Sequence, residues 1–364
     1  MNIASWVLSS LLLMTYGLSA SEASQKKPGA DERSEDAKKP VKIYILAGQS
    51  NMQGHASLTT FPHIGWDPKT APMLKEMTDS DGKPATIDNV WISEIGSGRN
   101  GGVKERFGKL NATYGVGGNK IGPEYTFGIY MHKHDPDQPI LLIKTAWGGK
   151  SLSTDYRPPS AGPYNNWNRE ATSEKMKEER AARIAASGVY YRKMMEHVNT
   201  VLADPGRVCP AYDKNAGFEI AGFVWFQGWN DYADSQTYPN RTKIDGYALY
   251  TELMSQFIRD VRKDLSVPDM PFVIGVLGVG GRPTPEREAK RGRYQGMMPA
   301  IEKAMSDPAK MPEFKGNVAA VFTGDFWDHE LQSVTRKYYH EVIKVGDKRA
   351  KEENVRGYDN KMAL

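Results

Sequence analysis

The chain has 364 residues, 39 % of them hydrophobic and 25 % charged, which is ordinary for a soluble globular protein. Its net charge of +4 is small for this size and the basic residues are mixed with acids, so no nucleic-acid-binding footprint is present. The single cysteine, Cys209, excludes an intrachain disulfide framework and a cysteine-built metal site.

In chain order, Ser5 to Ala20 is apolar and uncharged, and a small-x-small pattern at Ser21-Glu-Ala23 offers a cleavage site. Residues 1–23 therefore read as a signal peptide, and the expected location is secreted or periplasmic. The apolar stretch is short for a membrane span, so no stable membrane insertion is expected. Residues 21–40 are charged and lack aromatics, and after cleavage 24–40 would remain as a disordered linker. A folded domain over 41–364 follows. Continuous apolar runs at Val41–Leu46, Pro139–Lys144, Gly222–Phe226, Phe272–Leu277 and Val318–Phe322 suit parallel strands covered on both faces. Helical periodicity lies between them at Tyr125–His134, Glu170–Leu202 and Tyr247–Val261. Strands alternating with helices predict an α/β protein, a three-layer α/β/α sandwich. Two stretches, about 55–120 and about 151–170, read as long surface loops. The first is dense in glycine, and the second carries Tyr164 and Trp167 among prolines.

Three polar-glycine clusters follow strand-like runs. The first, Gly48-Gln-Ser-Asn-Met52, places Ser50 where the chain turns off a strand, at the edge where open α/β sheets bind ligands. The second is Thr145-Ala-Trp-Gly-Gly-Lys-Ser151, whose paired glycines let backbone amides approach a ligand. The third, Gln227-Gly-Trp-Asn-Asp231, brings an Asn side chain able to donate into the same crevice. Ser50, an amide at Gly148 or Gly149, and Asn230 together are the expected nucleophile and oxyanion hole.

Those clusters resemble the blocks of the SGNH (GDSL-like) hydrolases, and within them the sialate O-acetylesterase-type carbohydrate esterases. Gly48-Gln-Ser-Asn-Met52 is similar to the nucleophile block, Trp147-Gly-Gly-Lys-Ser-Leu152 to the glycine block and Gly228-Trp-Asn-Asp231 to the third; the likeness spans about residues 41–330. The resemblance implies a flavodoxin-like parallel sheet and a Ser-His-Asp mechanism that removes acetyl groups from sugar esters without metal or other cofactor. It further implies Ser50 as nucleophile, with the Ser50 N–H, Gly149 and Asn230 around the oxyanion. Gln49, Asn51, Gln227 and Trp229 are the expected substrate contacts; Trp229 stands where many relatives carry an acid.

A serine hydroxyl needs a base, and a histidine oriented by a carboxylate is the natural partner. Here the last apolar run enters Thr323-Gly-Asp-Phe-Trp-Asp-His329, whose spacing departs from the family's usual Asp-x-x-His. His329 with Asp325 is the preferred pair. Asp328 is too close along the chain, His340 is the alternative base, and a base beyond Leu364 or none at all are the remaining readings. The expected partner is an acetylated carbohydrate (sialic acid, xylan or another polysaccharide). The competing expectation is a carbohydrate-binding pseudoenzyme on the same fold.

Overall fold

The computed structural model describes residues 38–96, 104–168, 170–330 and 332–333. β1 (Val41–Gly48) is almost wholly buried and alternates between two cores. Ile43, Ile45 and Ala47 face one, Tyr44 and Leu46 the other. That two-sided burial explains the unbroken apolar run. α1 (Ser50–Gln53) follows at once, then β2 (Ala56–Ser57), α2 (Phe61–Ile64) and α3 (Ala71–Met77). β3 (Val90–Ile95), β4 (Arg106–Lys109), β5 (Lys120–Ile121), α4 (Pro123–His134) and β6 (Ile140–Ala146) come next. α5 (Glu174–Ala185) and α6 (Val189–Ala203) lead to β7 (Phe218–Phe226), α7 (Trp229–Ala233) and α8 (Ala248–Asp264). β8 (Phe272–Val276), α9 (Pro285–Ala289), α10 (Met297–Ser306) and β9 (Val318–Phe322) complete the described elements.

The main sheet runs β4-β3-β6-β1-β7-β8-β9. Five neighbouring strands, β6-β1-β7-β8-β9, are parallel and follow the order 2-1-3-4-5 of a flavodoxin-like sheet. One core packs Met194 and Val198 of α6, Leu253 and Phe257 of α8 and Ile301 of α10 against the sheet. The other packs Tyr125 and Ile129 of α4. These are the three layers expected. Among the described residues no helix is long and apolar enough to cross a membrane.

Two expectations are corrected. The stretch 55–120 is not one loop, because it supplies β3, parallel to β6, and β4, antiparallel at the sheet edge. Its run Val90–Ile95 is interrupted by Ser93 and Glu94. Both are buried, and the first bonds to His197 and Glu105 while the second pairs with Arg106. The helix expected over 170–202 is two helices, broken at Gly188, which sits at φ +66°. The loop at 151–170 packs largely on itself. The Arg157 guanidinium donates to the carbonyls of Ser153 (3.0 Å), Ala161 (3.2 Å) and Gly162 (2.8 Å), and Tyr164 is buried. Residues 1–37, with the proposed signal peptide and most of the linker, lie outside the described residues, as do 97–103 and His340.

Candidate active site

Strand register brings the three clusters together. Gly48 lies beside Ala146 of β6 and Phe226 of β7, so three neighbouring strands end level and their exit loops emerge side by side. The fit is tight at Gly48, where a Cβ would lie 2.2 Å from the Phe226 carbonyl oxygen. The Gly48 carbonyl accepts from the Tyr156 hydroxyl at 2.7 Å and from the Trp147 N–H at 3.2 Å. The chain then coils into α1 through the Gln53 N–H to the Gln49 carbonyl (2.8 Å) and the Gly54 N–H to the Ser50 carbonyl (3.1 Å). Ser50 is therefore the first residue of a helical turn, half-buried, and the N–H of a first residue has no partner inside its helix. Beneath the turn the buried Lys144 ammonium donates to the carbonyls of Gln53 (2.9 Å) and Tyr114 (3.0 Å) and to Glu124 (2.6 Å).

The second and third loops are bonded to the first through side chains. The Asn230 carboxamide nitrogen donates to the Gly149 carbonyl at 3.0 Å, and its oxygen accepts from Gln49 Nε2 at 3.1 Å. A carboxamide nitrogen carries two hydrogens, so Asn230 keeps one for another acceptor. Gly149 stands at φ +73° with open space where a side chain would project. Neither its N–H nor that of Ser50 has a protein acceptor among the described residues. The expected oxyanion donors are thus linked through one carboxamide and the residue preceding the serine.

Asp231, to which sequence reasoning gave no role, holds this arrangement. It is fully buried and accepts from the N–H groups of Leu152 (2.7 Å) and Ser153 (3.0 Å), from Gln227 Nε2 (2.7 Å) and from the Tyr238 hydroxyl (3.1 Å). It clamps the loop after β6 to the loop after β7. Burial pushes its pKa up, against the pull of those donors. Its presence in the third motif was visible in the sequence, but three of its four donors lie outside that motif, at Leu152, Ser153 and Tyr238.

Two of the expected substrate contacts are turned inward. Gln49 Oε1 accepts from Gln227 Nε2 (3.2 Å) and the Gly228 N–H (3.4 Å), and Gln227 also reaches the Lys150 carbonyl (3.0 Å). Both glutamines are buried, so they brace the loops and have no surface to offer a ligand. Trp229 is 45 % exposed, with its ring 5.4 Å from that of Tyr232, and Asn51 is exposed. Asn51 lines a cleft of about 440 Å³ together with His55, Phe226, Gly278, Phe326 and Trp327. Burial, with Lys120 and Lys144 nearby, pushes the His55 pKa down from its ordinary value.

The segment after β9 carries the remaining candidates. Its Phe326 and Trp327 wall the same cleft, and His329 follows two residues later, exposed, with its ring against Gly281 of the loop after β8. Asp325 pairs with Arg282 at 3.3 Å, and no hydrogen bond joins it to His329 among the described residues.

The sequence model described as carbohydrate esterase, sialic acid-specific acetylesterase matches residues 40–311. No curated protein matches the chain. Among solved structures it is similar to a protein from Arabidopsis thaliana at 18 % identity, over 78 % of this chain and 86 % of that one, with a TM-score of 0.40. It is also similar to NanS at 14 % identity, over 81 % and 80 % of the two chains, with a TM-score of 0.43. A carbohydrate acetylesterase from Xanthomonas citri is similar at 14 % identity, over 77 % of this chain and 49 % of that one, with a TM-score of 0.39. With its parallel α/β sheet, its three clusters at one sheet edge and a match over most of its length, the chain belongs to the sialic acid-specific acetylesterase family of carbohydrate esterases, a family of ester hydrolases.

Proposed function

We propose that the protein removes O-acetyl groups from a carbohydrate through an acyl-enzyme at Ser50. The observation that carries this reading is the carboxamide of Asn230, bonded at once to the Gly149 carbonyl and to the side chain of Gln49, the residue before Ser50. In the proposed cycle the Ser50 hydroxyl attacks the acetyl carbon and passes its proton to His329. The negative oxygen of the tetrahedral intermediate rests on the N–H groups of Ser50 and Gly149 and the second N–H of Asn230. Collapse expels the sugar hydroxyl, which takes the proton, and water then releases acetate from Ser50. Each oxyanion donor is worth roughly 3 kcal/mol of barrier in such sites. Trp229 and Asn51 are the substrate contacts in this reading, since both present side chain to solvent beside the loops that carry the donors. The amino-terminal segment would export the enzyme to meet a polysaccharide or a glycan.

Ser50→Ala tests the reading with 4-nitrophenyl acetate and acetylated sugars. Turnover should fall to background with the thermal melt nearly unchanged, and equal turnover by both proteins would refute it. One observation favours a second reading: Asp325 is held by Arg282 and not by His329. A glycan-binding pseudoenzyme would bind carbohydrate and resist a fluorophosphonate probe, whereas stoichiometric labelling at Ser50 dismisses that alternative.

A further inference from the structure

We propose that Arg282 is a positioning residue that holds the cleft wall after β9 in place by joining Asp325 on that wall to Glu302 on α10. The inference rests on the proposed function only in taking the cleft beside Ser50 as the place where substrate sits. Arg282 lies in the loop after β8, and its side chain crosses to the neighbouring segment. Its Nε lies 3.3 Å from Asp325, its Nη1 3.4 Å from Glu302, and its guanidinium carbon 4.0 Å above the Phe322 ring. A planar guanidinium can serve two carboxylates from separate edges, which a lysine ammonium cannot do in the same geometry. Its backbone is held as well, because Arg287 Nη1 donates to the Arg282 carbonyl at 2.9 Å.

The two exit loops meet along a seam that has no room for side chains. A Cβ on Gly278 would lie 2.0 Å from the Gly324 nitrogen, and one on Gly324 would lie 3.0 Å from the Arg282 nitrogen. A Cβ on Gly281 would lie 2.5 Å from the His329 ring. The segment from Thr323 to His329 is therefore seated closely on the β8 loop and is tethered to α10 through the Arg282 side chain. The wall residues Phe326 and Trp327 ride on that segment, and the Trp327 indole donates to Gln332 at 3.0 Å.

Glu302 makes the tether sensitive to protons. Its side chain is 7 % exposed, and Oε1 has no hydrogen-bond partner among the described residues. The charged groups facing it are Arg282, Asp325, Glu288 and Arg291, from the β8 loop, the β9 exit and the α9 region. Burial pushes its pKa up to about 7, with Arg282 pulling the other way. As pH falls through that value Glu302 gains a proton and loses its hold on Arg282, so the wall is anchored in mild base and looser in mild acid.

Hydrogen exchange on the full chain tests this in wild type, Arg282→Gln, Arg282→Lys and Glu302→Gln at pH 8 and pH 6, corrected for intrinsic rates. Peptides over 318–330 in R282Q should lose protection by tenfold or more, while those over 41–54 stay within twofold. Wild type should lose part of its 318–330 protection between pH 8 and pH 6, and E302Q should show the lower value at both. With 4-nitrophenyl acetate, KM should rise in R282Q more than kcat falls. Protection in R282Q within twofold of wild type, or a wild-type pH response in E302Q, overturns the proposal. Should R282Q fail to fold, R282K decides, and wild-type protection there overturns it equally. Exchange is read whether or not Ser50 is the nucleophile, so failure of the esterase reading leaves this result standing.

Discussion

Asn230→Ala separates the chemistry of the site from its support. The substitution removes two interactions, the donor to the Gly149 carbonyl and the acceptor for Gln49 Nε2. Gln49 is only 3 % exposed, so its orphaned Nε2 has no water to turn to. Leaving a buried donor unpaired costs about 1–3 kcal/mol, which in a domain of this size lowers Tm by several degrees. On the esterase reading the rate loses a preorganised oxyanion donor as well, and kcat should fall by about 10²–10³ with KM little changed. Asn230→Asp is the control. It restores an acceptor for Gln49, but it sets a carboxylate oxygen against the Gly149 carbonyl and against the developing oxyanion. N230D should therefore be at least as slow as N230A and recover the part of the melt lost from the Gln49 contact. Initial rates on 4-nitrophenyl acetate and calorimetric melts read both effects. A folded N230A enzyme within tenfold of wild-type kcat would show that Asn230 braces loops and takes no part in the transition state.

Asp231→Asn should destabilise the fold by about 2–4 kcal/mol, because an NH₂ group then faces some of the four donors that the carboxylate receives; urea unfolding at pH 7 checks it. Trp229→Ala should raise KM for a sugar ester several-fold and leave 4-nitrophenyl acetate nearly unaffected, since the 45 % exposed ring suits a pyranose face more than a small acyl group; equal KM on sugar esters would contradict this. His197 gives a pH effect on stability. Burial lowers its pKa from the ordinary 6.5 to about 4, and Arg207 adds to the effect. The unfolded chain then binds more protons between those values, so stability is intact above 6.5 and declines as pH falls toward 4. At 1.36 kcal/mol per pKa unit the loss approaches about 3 kcal/mol. His197→Gln should flatten the stability curve in that window, measured by urea titration at stepped pH.

The parts of the fold legible in the sequence were those whose residues answer to their immediate surroundings. β1 and β6–β9 announce themselves because each is apolar on both faces, and the three loop clusters follow from where those strands stop. β3 was hidden because its polar pair, Ser93 and Glu94, is compensated by His197, Glu105 and Arg106, none of them next to it in sequence. Motif spacing told which loop a residue occupies but not which way its side chain turns. Gln49 and Gln227 share motifs with Ser50 and Asn230, yet they point into the protein, where their amides find Gly228, Lys150 and each other.

The two sides of the candidate site are supported by different physics, and that bears on how the site would work. The side with Ser50, Gly149 and Asn230 rests on charges withdrawn from water. Asp231 lies under four donors, and the Lys144–Glu124 pair has neither side chain exposed. Removing one member of such a buried set strands its partners, so the geometry is defended by a steep cost. The side with Asp325 and His329 rests on a glycine seam and on ion pairs whose Arg282 and Asp325 side chains are 41 % and 56 % exposed, where water and salt compete. An oxyanion hole gains from rigidity, since its donors must be in place before charge develops. A base that first takes a proton from serine and then returns it to the leaving group gains from being able to shift. On the esterase reading, the distribution of buried and exposed braces fits that division of labour. Raising ionic strength should therefore loosen residues 318–330 in hydrogen exchange long before it alters 41–54, and equal salt sensitivity in both segments would remove the distinction.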